Sequence, residues 1–425
     1  MKKIFLTVMV IALALCMGLS ACTPQQTPGQ GTQSPGEPAT PSSPNSPSTA
    51  NTPEVTDDDT VKVPVGPSSV KVAFITNLSV GGATEQGLCS RDGFQLAIDE
   101  CNAGGGINGT MLEAVIYDDE ASPEKAVEYV TRAIEQDGVV AITGFVNSGN
   151  AQASSYLAQE AGITMLVNYG TATDITTKYR DEDRNFIFRY SLLDGEQVIK
   201  MLDFVEKQNF SKIAILHDTS GYGVSGSEDL KKGLAARGLT YDMIDTLNTN
   251  DTDMTTQLNK FKNAGVDCVM TYCLSPENAN ILLSAKKIDY SPVLISSWSV
   301  GFTTFARLAG EAKNGSFYFT SAYSVGQTEK STYLHETLIR KNGHDILPIA
   351  SAFGYDAMNM LIQAMGEAGS FDSVAIRDAL EGISVFDGCV GVIGKPFSKT
   401  DHEAISGDYI YLHIYENNVI VPAKY

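Results

Sequence analysis

The chain has 425 residues, of which 43% are hydrophobic and 19% charged, and its formal net charge is −20 at pH 7. Such an excess of acid repels phosphate groups, so nucleic acid is excluded as a partner. Five cysteines follow Cys22, an odd number with no C-x-x-C pair, which argues against a zinc site or a disulfide framework.

Residues 1–21 have the pattern of an export signal. Two lysines give a basic start, an apolar run extends from Ile4 to Leu15, and small residues precede Cys22. The apolar run is shorter than the roughly 20 residues that a membrane-spanning helix needs. The ending LSAC resembles the lipobox of bacterial lipoproteins, which implies that lipid is attached to Cys22 and that this residue becomes the mature N-terminus. Ordinary cleavage nearby, with Cys22 left as a free thiol, is the alternative.

Residues 22–67 are predicted to form a disordered tether. This segment is rich in Pro, Thr, Ser, Gly, Gln and Asn and has almost no large apolar side chains, so it cannot bury enough surface to order itself. Together with the lipid anchor, which is the only membrane contact that we expect, it would hold the rest of the chain away from the bilayer. So long a tether suits a thick cell wall and favours the outer face of a Gram-positive cell membrane. In a Gram-negative cell the expected place is the periplasmic side or the outer membrane.

The remaining residues, 68–425, exceed what one core usually supports, so two domains are expected. Apolar, strand-like runs alternate with amphipathic helical segments in two successive series. The first has strands at 70–76, 112–119, 139–143 and 163–168 and helices at 84–101, 123–136 and 149–161. After a strand at 185–191, the second has helices at 195–208, 225–237, 252–263 and 277–287 and strands at 212–218, 239–245, 266–272 and 292–297. This alternation predicts an α/β fold of two doubly wound parallel-sheet lobes, with a ligand at the carboxyl ends of the strands.

Several motifs form an ordered series that extends from about Val70 to the C-terminus. They include GFQLAIDECNAGGGINGT at 93–110, AQEAGITMLVNYGTATDIT at 158–176 and KIAILHDTSGYGVSG at 212–226. The series resembles the type I periplasmic-binding-protein family. Within that family it is most similar to the leucine/isoleucine/valine-binding branch, the extracytoplasmic receptors of ABC importers.

The resemblance implies a fold, a ligand and a partner. Two lobes would be joined by a hinge of three chain crossings, lobe 1 comprising 68–190 and 322–384 and lobe 2 comprising 191–321 and 385–425. A small polar metabolite, an amino acid or a related carboxylate or amide, would be captured in the interlobe cleft by hinge closure. A monomer would then deliver it to an ABC permease in the membrane. A ligand sensor of the same fold, coupled to a receptor instead of a permease, is the alternative.

No cofactor, metal or catalytic activity is predicted. The five histidines lie at no metal-ligating spacing, and no nucleophile motif occurs. The acidic run YDDE at 117–120 is predicted to be a solvated turn, because no further acid is placed to complete a metal site.

The stretch GYGVSG at 221–226 fits the dinucleotide-binding pattern G-x-G-x-x-G. Residues 217–220 separate it from the apolar run KIAIL, so its first glycine does not lie at a strand end as that binding mode requires. An exported domain also meets little NAD. The resemblance implies instead that this turn faces the cleft, with Tyr222 covering the ligand and the glycines allowing the backbone to turn.

In lobe 1 the resemblance implies ligand contacts from two successive turns. The turn GFVNSGN at 144–150 contains the family serine that hydrogen-bonds the carboxylate or amino group of an amino acid, here Ser148. This serine also lies where a helix is predicted to begin, so its hydroxyl and the free backbone N–H groups favour an anion; a simple helix cap is the alternative. The next turn, NYGTAT at 168–173, supplies a second hydroxyl and backbone carbonyls. The predicted contacts of this lobe are Gln86, Asn147, Ser148, Asn168, Tyr169, Gly170 and Thr171.

In lobe 2 the chain departs from the family. By alignment, the family carboxylate that pairs with a ligand ammonium falls on Trp298. The serines at 296, 297 and 299 predict an exposed turn in which the Trp298 ring contacts the ligand; core packing is the alternative. Since a buried ammonium without a carboxylate is costly, either the ligand is not a standard amino acid or one of Asp218, Glu85 and Glu277 replaces the missing acid. The predicted contacts of lobe 2 and the second crossing are Tyr222, Leu274, Trp298 and Tyr323.

Overall fold

The computed structural model describes residues 68–324 and 326–424. The predicted export signal, the tether and the lipid-bearing Cys22 lie outside the described residues. Within the described part of the chain, no helix is both long enough and apolar enough to cross a membrane.

The first lobe is built on a five-stranded parallel sheet. In chain order its elements are β1 (Ser69–Thr76), α1 (Thr84–Ala103), β2 (Met111–Asp118), α2 (Pro123–Arg132), β3 (Ala141–Gly144), α3 (Ser148–Ala161), β4 (Thr164–Val167), α4 (Asp174–Thr177) and β5 (Ile187–Arg189). The strand order is β2-β1-β3-β4-β5. Every residue of β3 and β4 is buried, as expected for short apolar strands that helices cover on both faces.

The second lobe repeats this construction. Its elements are α5 (Asp194–Gln208), β6 (Ile213–Asp218), α6 (Gly221–Ala236), β7 (Met243–Leu247), α7 (Thr255–Ala264), β8 (Cys268–Tyr272), α8 (Ser275–Lys287), β9 (Val293–Ser296), α9 (Thr303–Ala309) and β10 (Phe317–Ser321). These strands are parallel in the order β10-β9-β8-β6-β7. The chain enters the sheet at β6, adds β7 on one side and then adds β8, β9 and β10 on the other side. Because the direction of strand addition reverses in this way, helices lie on both faces of this sheet as well.

The C-terminal part of the chain adds to both lobes. It forms α10 (Glu329–Asn342), α11 (Pro348–Ala368), α12 (Ser373–Gly382), β11 (Val385–Gly388), β12 (Gly391–Gly394), β13 (Tyr411–Glu416) and β14 (Val419–Pro422). Strand β13 pairs antiparallel with β10, and β14 pairs antiparallel with β13. β11 and β12 form a separate hairpin, in which the Cys389 N–H donates to the Asp356 carboxylate of α11 at 2.6 Å.

Helix α11 packs directly along α1 because each helix has a glycine at the contact. A Cβ atom on Gly93 would overlap the carbonyl oxygen of Ser351, and one on Gly354 would overlap the carbonyl oxygen of Ser90. Only glycine lets the two backbones approach this closely. The first lobe is therefore completed by chain that follows the parallel strands of the second.

The predicted α/β fold of two doubly wound lobes is confirmed. Three predicted starts are wrong by three or four residues, since α6 begins at Gly221 instead of 225, β7 at Met243 instead of 239 and α7 at Thr255 instead of 252. The hairpin and the antiparallel strands at the C-terminus lie beyond the last predicted strand. The residue limits of the lobes and the positions of the hinge crossings stay predictions.

Candidate ligand-binding cleft

A cavity of about 460 Å³ lies between the carboxyl ends of the two sheets. This volume is within the range of about 300 to 1,000 Å³ that is typical of small-molecule sites. Turns that follow β1, β2, β3 and β4 form its first-lobe wall, and turns that follow β6, β7, β8 and β9 form its second-lobe wall. Strand-to-helix turns of both sheets thus meet at the position where wound sheets bind ligands.

Most of the predicted contact residues line this cavity. They are Gln86, Asn147, Ser148, Tyr169, Thr171, Tyr222, Leu274 and Trp298. The lining does not include Asn168, Gly170 or Tyr323. Asn168 Nδ2 donates to Ser90 Oγ at 2.7 Å, and the Gly170 carbonyl accepts from Arg189 at 3.2 Å. Both hydrogen bonds stabilise the turn after β4 and involve residues outside the cavity lining. Contact between any of these residues and a ligand stays a prediction.

Ser148 joins two turns of the first-lobe wall. It is the first residue of α3 and follows Asn147, whose backbone is extended. Its Oγ accepts hydrogen bonds from the N–H groups of Thr171 at 3.1 Å and Ala172 at 3.2 Å. The hydroxyl is therefore not a cap of its own helix, since Asn147 holds the cap position, and it joins the turn after β4 to the start of α3. Its own proton stays available to an acceptor in the cavity.

Several buried polar atoms of the lining have no hydrogen-bond partner among the described residues. On the first-lobe wall they are Gln86 Oε1, Asn147 Oδ1, Asn150 Nδ2 and Tyr169 OH, and on the second-lobe wall Glu277 Oε2. Buried polar groups in folded proteins are nearly always hydrogen-bonded. Donors and acceptors from both walls are thus placed to complete their hydrogen bonds with a polar ligand.

Three aromatic rings of the lining pack against one another. The centroid of the Tyr169 ring lies 4.6 Å from that of Trp298 and 6.0 Å from that of Phe302. Trp298 and Phe302 meet edge to face at 5.1 Å, a favourable arrangement for aromatic pairs. Because Tyr169 belongs to the first lobe and the other two rings to the second, this cluster also connects the lobes.

Trp298 does not lie in an exposed turn, and that prediction is wrong. Trp298 is only 3% exposed, and the neighbouring serines are buried with it. Two of their hydroxyls bond to backbone carbonyls at the end of β8, with Ser296 Oγ donating to Thr271 at 3.1 Å and Ser299 Oγ to Cys273 at 2.7 Å, and the Ser297 hydroxyl pairs with that of Tyr222. Serines that bond the backbone in this way have no need of solvent. Trp298 therefore packs in a core-like cluster and lines the cavity at the same time.

The sequence pattern of the family described as periplasmic binding protein matches residues 69–412 of the chain. The chain belongs to this family. The leucine-, isoleucine-, valine-, threonine- and alanine-binding protein of Pseudomonas aeruginosa is 28% identical over 331 residues, which cover 77% of this chain and 85% of the relative. The predicted resemblance is confirmed, and this periplasmic binding protein is a solute-binding protein and not an enzyme.

Solved structures show the same fold. A periplasmic binding protein type 1 from Bordetella pertussis Tohama I superposes with a TM-score of 0.76 at 24% identity, covering 84% of this chain and all 100% of the other. The branched-chain amino acid transporter substrate-binding protein LivJ from Streptococcus pneumoniae, in complex with isoleucine, superposes with a TM-score of 0.71 at 22% identity, covering 83% and 97%. The fold of this periplasmic binding protein is therefore type I.

The glycines of GYGVSG allow close approach in this periplasmic binding protein, and the prediction that they let the backbone turn is wrong. Gly221 and Gly226 both lie in α6, and neither has a positive φ. A Cβ atom on Gly221 would lie 2.6 Å from the Cα of Gly149 in the other lobe, and one on Gly226 would overlap the Tyr272 ring. Gly149 and Gly221 thus let the starts of α3 and α6 meet across the cleft, and Gly226 makes room for the Tyr272 ring.

The charged side chains of the lining are acidic. Glu120 and Glu277 belong to it, and among the residues at 68–324 and 326–424 no Lys, Arg or His does. Glu120 is paired with Lys125 at 2.5 Å, and its side chain is 44% exposed. Glu277, in contrast, is 2% exposed, and burial raises the pKa of its carboxyl group.

The run at 117–120 is only in part the solvated turn that was predicted, because Glu120 is exposed but Asp119 is not. Asp119 is fully buried, and its carboxylate accepts a hydrogen bond from the Ala121 N–H at 3.0 Å. Burial raises the pKa of Asp119 to about 6. Within the described residues, no group of His, Cys, Asp and Glu is placed to hold a metal ion.

The three carboxylates considered as ammonium partners differ in the hydrogen bonds that they already accept. Asp218 uses both oxygens, with Oδ2 accepting the Leu274 N–H at 2.7 Å and Oδ1 accepting from the turn that follows. Glu85 accepts a hydroxyl of α9 from the other lobe. Glu277 Oε1 accepts the Asn250 N–H at 2.6 Å, while Oε2 has no partner among the described residues. Glu277 is thus the candidate with an oxygen to spare inside the cavity lining.

Asp194 is a residue beside the cleft that the sequence patterns do not single out. It is fully buried at the start of α5, its N–H donates to the Thr171 carbonyl at 3.0 Å, and its Oδ1 accepts from Gln197 at 2.9 Å. Burial raises the pKa of Asp194 to about 7. The only sequence feature that could have indicated Asp194 is its position directly before a predicted helix. That is a common and normally exposed cap position, so it did not indicate a buried acid.

The two lobes touch across the cleft. Thr173 Oγ1 donates to Asp229 Oδ2 of α6 at 2.7 Å, and Thr304 Oγ1 of α9 donates to Glu85 Oε2 of α1 at 3.0 Å. These hydrogen bonds lie beside the aromatic contact between Tyr169 and the second lobe. The cavity is therefore walled by both lobes at once.

Proposed function

We propose that this chain is the solute-binding component of an ABC importer and captures a small polar metabolite in the cleft as the lobes close. The ligand class that the site favours is an amino acid or a related carboxylate or amide. The observation that carries the proposal is the cavity between two touching lobes, with the Ser148 and Thr171 hydroxyls on one wall and Trp298 on the other.

The first-lobe wall would bind the anionic or hydrogen-bond-accepting end of the ligand. The first N–H groups of a helix have no partner within the helix and carry a partial positive charge, and α3 presents this end to the cavity. The hydroxyls of Ser148 and Thr171 lie beside it. Since the described lining contains no cationic side chain, these neutral donors would hold the anion.

The aromatic cluster would cover the apolar part of the ligand. Burying apolar surface contributes roughly 25 cal/mol per Å², and Tyr169, Trp298 and Phe302 provide that surface from both lobes. A ligand that contacts both walls is bound more tightly when the lobes are together, so its binding shifts the molecule toward the closed arrangement.

The relatives support this proposal. The name of the Pseudomonas relative specifies five amino acids, and the pneumococcal structure holds isoleucine. We further propose that lipid on Cys22 and the tether at 22–67 keep the domain at the outer face of the cell membrane, with a Gram-positive cell favoured. There, as a monomer, it would hand the ligand to its permease.

A thermal-shift screen of the purified protein against amino acids, aromatic acids and small carboxylates tests the proposal. At a free concentration of 100 times its dissociation constant, a ligand adds about 2.7 kcal/mol of stability, so a true ligand gives a clear and saturable shift. If no compound of these classes raises the melting temperature, the proposal is wrong.

Substitutions in the first-lobe wall then test the binding mode. Ser148→Ala and Thr171→Val should each weaken binding of the ligand found by about 1 to 3 kcal/mol. Ser148→Ala should also lower the melting temperature of the empty protein, because two backbone N–H groups lose their acceptor. Ser154→Ala is the matched control, since its hydroxyl bonds to the Asn150 carbonyl within α3 at 2.7 Å and lies outside the lining. Wild-type affinity in both cleft variants would place the ligand elsewhere.

A further inference from the structure

The charge pattern of the ligand follows from Glu277, provided that the proposed function holds. Glu277 lies in the first turn of α8, lines the cavity and is 2% exposed. One of its oxygens accepts the Asn250 N–H at 2.6 Å, and the other has no hydrogen-bond partner among the described residues. An unpartnered oxygen of a buried carboxylate therefore belongs to the wall of the cleft.

This carboxylate is costly to the empty protein. Removing a charge from water is expensive unless a partner compensates it. Burial raises the pKa of the Glu277 carboxyl group. The charged groups that act on it most strongly are Asp218 and Asp251, which are negative like Glu277 and raise its pKa further. Within the described residues, no Lys, Arg or His of the lining compensates it. A positive group on the ligand would supply the missing partner.

Glu277 and Ser148 belong to different contacts between the lobes. Ser148 starts α3, which meets α6 where Gly149 lies against Gly221. Glu277 follows Pro276, whose ring would lie 2.9 Å from a Cβ atom on Gly82 in the loop after β1. Its hydrogen-bonded neighbour Asn250 belongs to the turn after β7, the edge strand of the second sheet. The acidic position thus lies in a different turn and a different interlobe contact from the position that favours an anion.

The position at which the family resemblance implies an ammonium-binding carboxylate is occupied by Trp298 in this chain. Trp298 packs in the aromatic cluster with Tyr169 and Phe302, so it offers no negative charge there. Asp218 has no oxygen to spare, and Glu85 is engaged by Thr304.

We propose that Glu277 binds a positively charged group of the ligand, and that the ligand carries this group at the end opposite to its carboxylate. An ω-amino acid has this pattern of charges, and an α-amino acid with a neutral side chain does not.

Three probes with the same carbon chain test this proposal by titration calorimetry. They are 6-aminohexanoate, its isomer 2-aminohexanoate, and hexanoate, which has no amine. The wild-type protein should bind 6-aminohexanoate about tenfold or more tightly than either of the others, as expected for a hydrogen bond to a charged group.

Glu277→Gln removes the charge and keeps an oxygen for the Asn250 N–H. The preference for 6-aminohexanoate over hexanoate should disappear in this variant, while its affinity for hexanoate should stay unchanged. Glu120→Gln is the matched control, because Glu120 also lines the cavity but is exposed and paired with Lys125; it should keep the preference. The melting temperature of empty Glu277→Gln should be equal to or higher than that of the wild type, because a buried charge has been removed.

Several outcomes would overturn the proposal. If 2-aminohexanoate binds more tightly than its isomer, or if Glu277→Gln keeps the preference, Glu277 is not the cation partner, although the proposed solute-binding function stands. If Glu277→Gln melts at a lower temperature and loses all three probes equally, Glu277 has a structural role instead. If none of the probes binds and the wider screen of amino acids and carboxylates is also negative, the proposed function and this inference fail together.

Discussion

The two walls of the cleft differ in how they are built. On the first-lobe wall, Ser148 and Thr171 occupy positions that the family resemblance implies, and Ser148 Oγ accepts hydrogen bonds from the N–H groups of Thr171 and Ala172. On the second-lobe wall, Trp298 stands where the family resemblance implies a carboxylate, and Glu277 is a buried acid of the lining. The comparison indicates that the first wall holds what related ligands share, and that the second wall selects which ligand is bound.

The walls also differ in what their residues contribute to the empty protein. Trp298 packs against rings of Tyr169, Phe302 and Phe353 at centroid distances between 4.6 and 5.8 Å. The second wall is therefore both a recognition surface and part of the core. Substitutions there should change stability and affinity together, whereas some first-wall substitutions should change affinity alone.

Trp298→Ala should give the largest loss of stability. Removal of a buried tryptophan from a packed cluster costs about 3 to 5 kcal/mol, and urea unfolding of the empty protein would measure it. Trp298→Phe retains a ring and should lose much less. A cost below about 1 kcal/mol for the alanine variant would show that the ring belongs to the ligand surface alone and would contradict the core-like role.

Asp194, between the two walls, should make stability depend on pH. Its folded pKa of about 7 lies above the value of about 3.9 in an unfolded chain. Between these values the folded state keeps a proton that the unfolded state releases, so this contribution to stability falls as pH rises and levels off above the folded pKa. Relative to Asp194→Asn, the wild type should gain about 2 kcal/mol between pH 8 and pH 5.5. The pH-dependent contributions of Asp119 and Asp356 are present in both proteins and cancel in this comparison. If the stability difference between wild type and Asp194→Asn were the same at pH 8 and pH 5.5, the raised pKa of Asp194 would be contradicted.

Thr173→Val should weaken the closed arrangement by about 1 to 3 kcal/mol, the usual contribution of two hydrogen bonds. The variant loses the bond to Asp229 that crosses the cleft and the bond that the Gly195 N–H donates to the same hydroxyl. Ligand affinity should fall several-fold, as measured by calorimetry. Thr177→Val is the control, because its hydroxyl bonds to the Thr173 carbonyl within the same turn at 2.9 Å. Equal losses in both variants would show that the crossing bond does not stabilise closure.

Tyr169→Phe should have the smallest effect on the empty protein, a few tenths of a kcal/mol in either direction. The Tyr169 hydroxyl is buried and has no hydrogen-bond partner among the described residues. Tyr290→Phe provides the contrast, since its hydroxyl donates to the Val266 carbonyl at 2.8 Å and its loss should cost about 1 kcal/mol. If the Tyr169 variant is destabilised as strongly as the Tyr290 variant, its hydroxyl has a partner in solution and is not free for a ligand.

The sequence was sufficient for the lobes and for much of the cleft. Short apolar runs and helical periodicity place the strands, and the rule that ligands bind after strand ends then points to the turns that follow them. Within those turns, the family resemblance implies Ser148, Thr171 and Trp298 as individual positions. Burial of particular turns could not be predicted, because serine hydroxyls that bond a neighbouring strand look the same in sequence as exposed ones. The purpose of Gly226 could not be predicted either, since it depends on the Tyr272 ring from another strand.

Acidic residues were the hardest to interpret. Glu277 and Asp218 are both buried beside the second sheet, and only the backbone N–H groups around them decide which one keeps an oxygen free. Such pairings join residues far apart in the chain, as do those of Asp194 with the turn after β4. Local patterns therefore identify where a site lies better than they identify the charges that operate in it.

The glycine contact between α1 and α11 has a consequence for the order in which this molecule acquires its structure. Strands β1–β5 end at Arg189, yet the face of α1 that meets Gly354 stays uncovered until residues 348–368 arrive. Contacts over such long separations form slowly, because a long loop must close first. A fragment that stops after β5 would expose apolar surface and would not be an autonomous folding unit. The amino-terminal sheet thus reaches its native state only after the carboxyl-terminal quarter of the chain has been added to it.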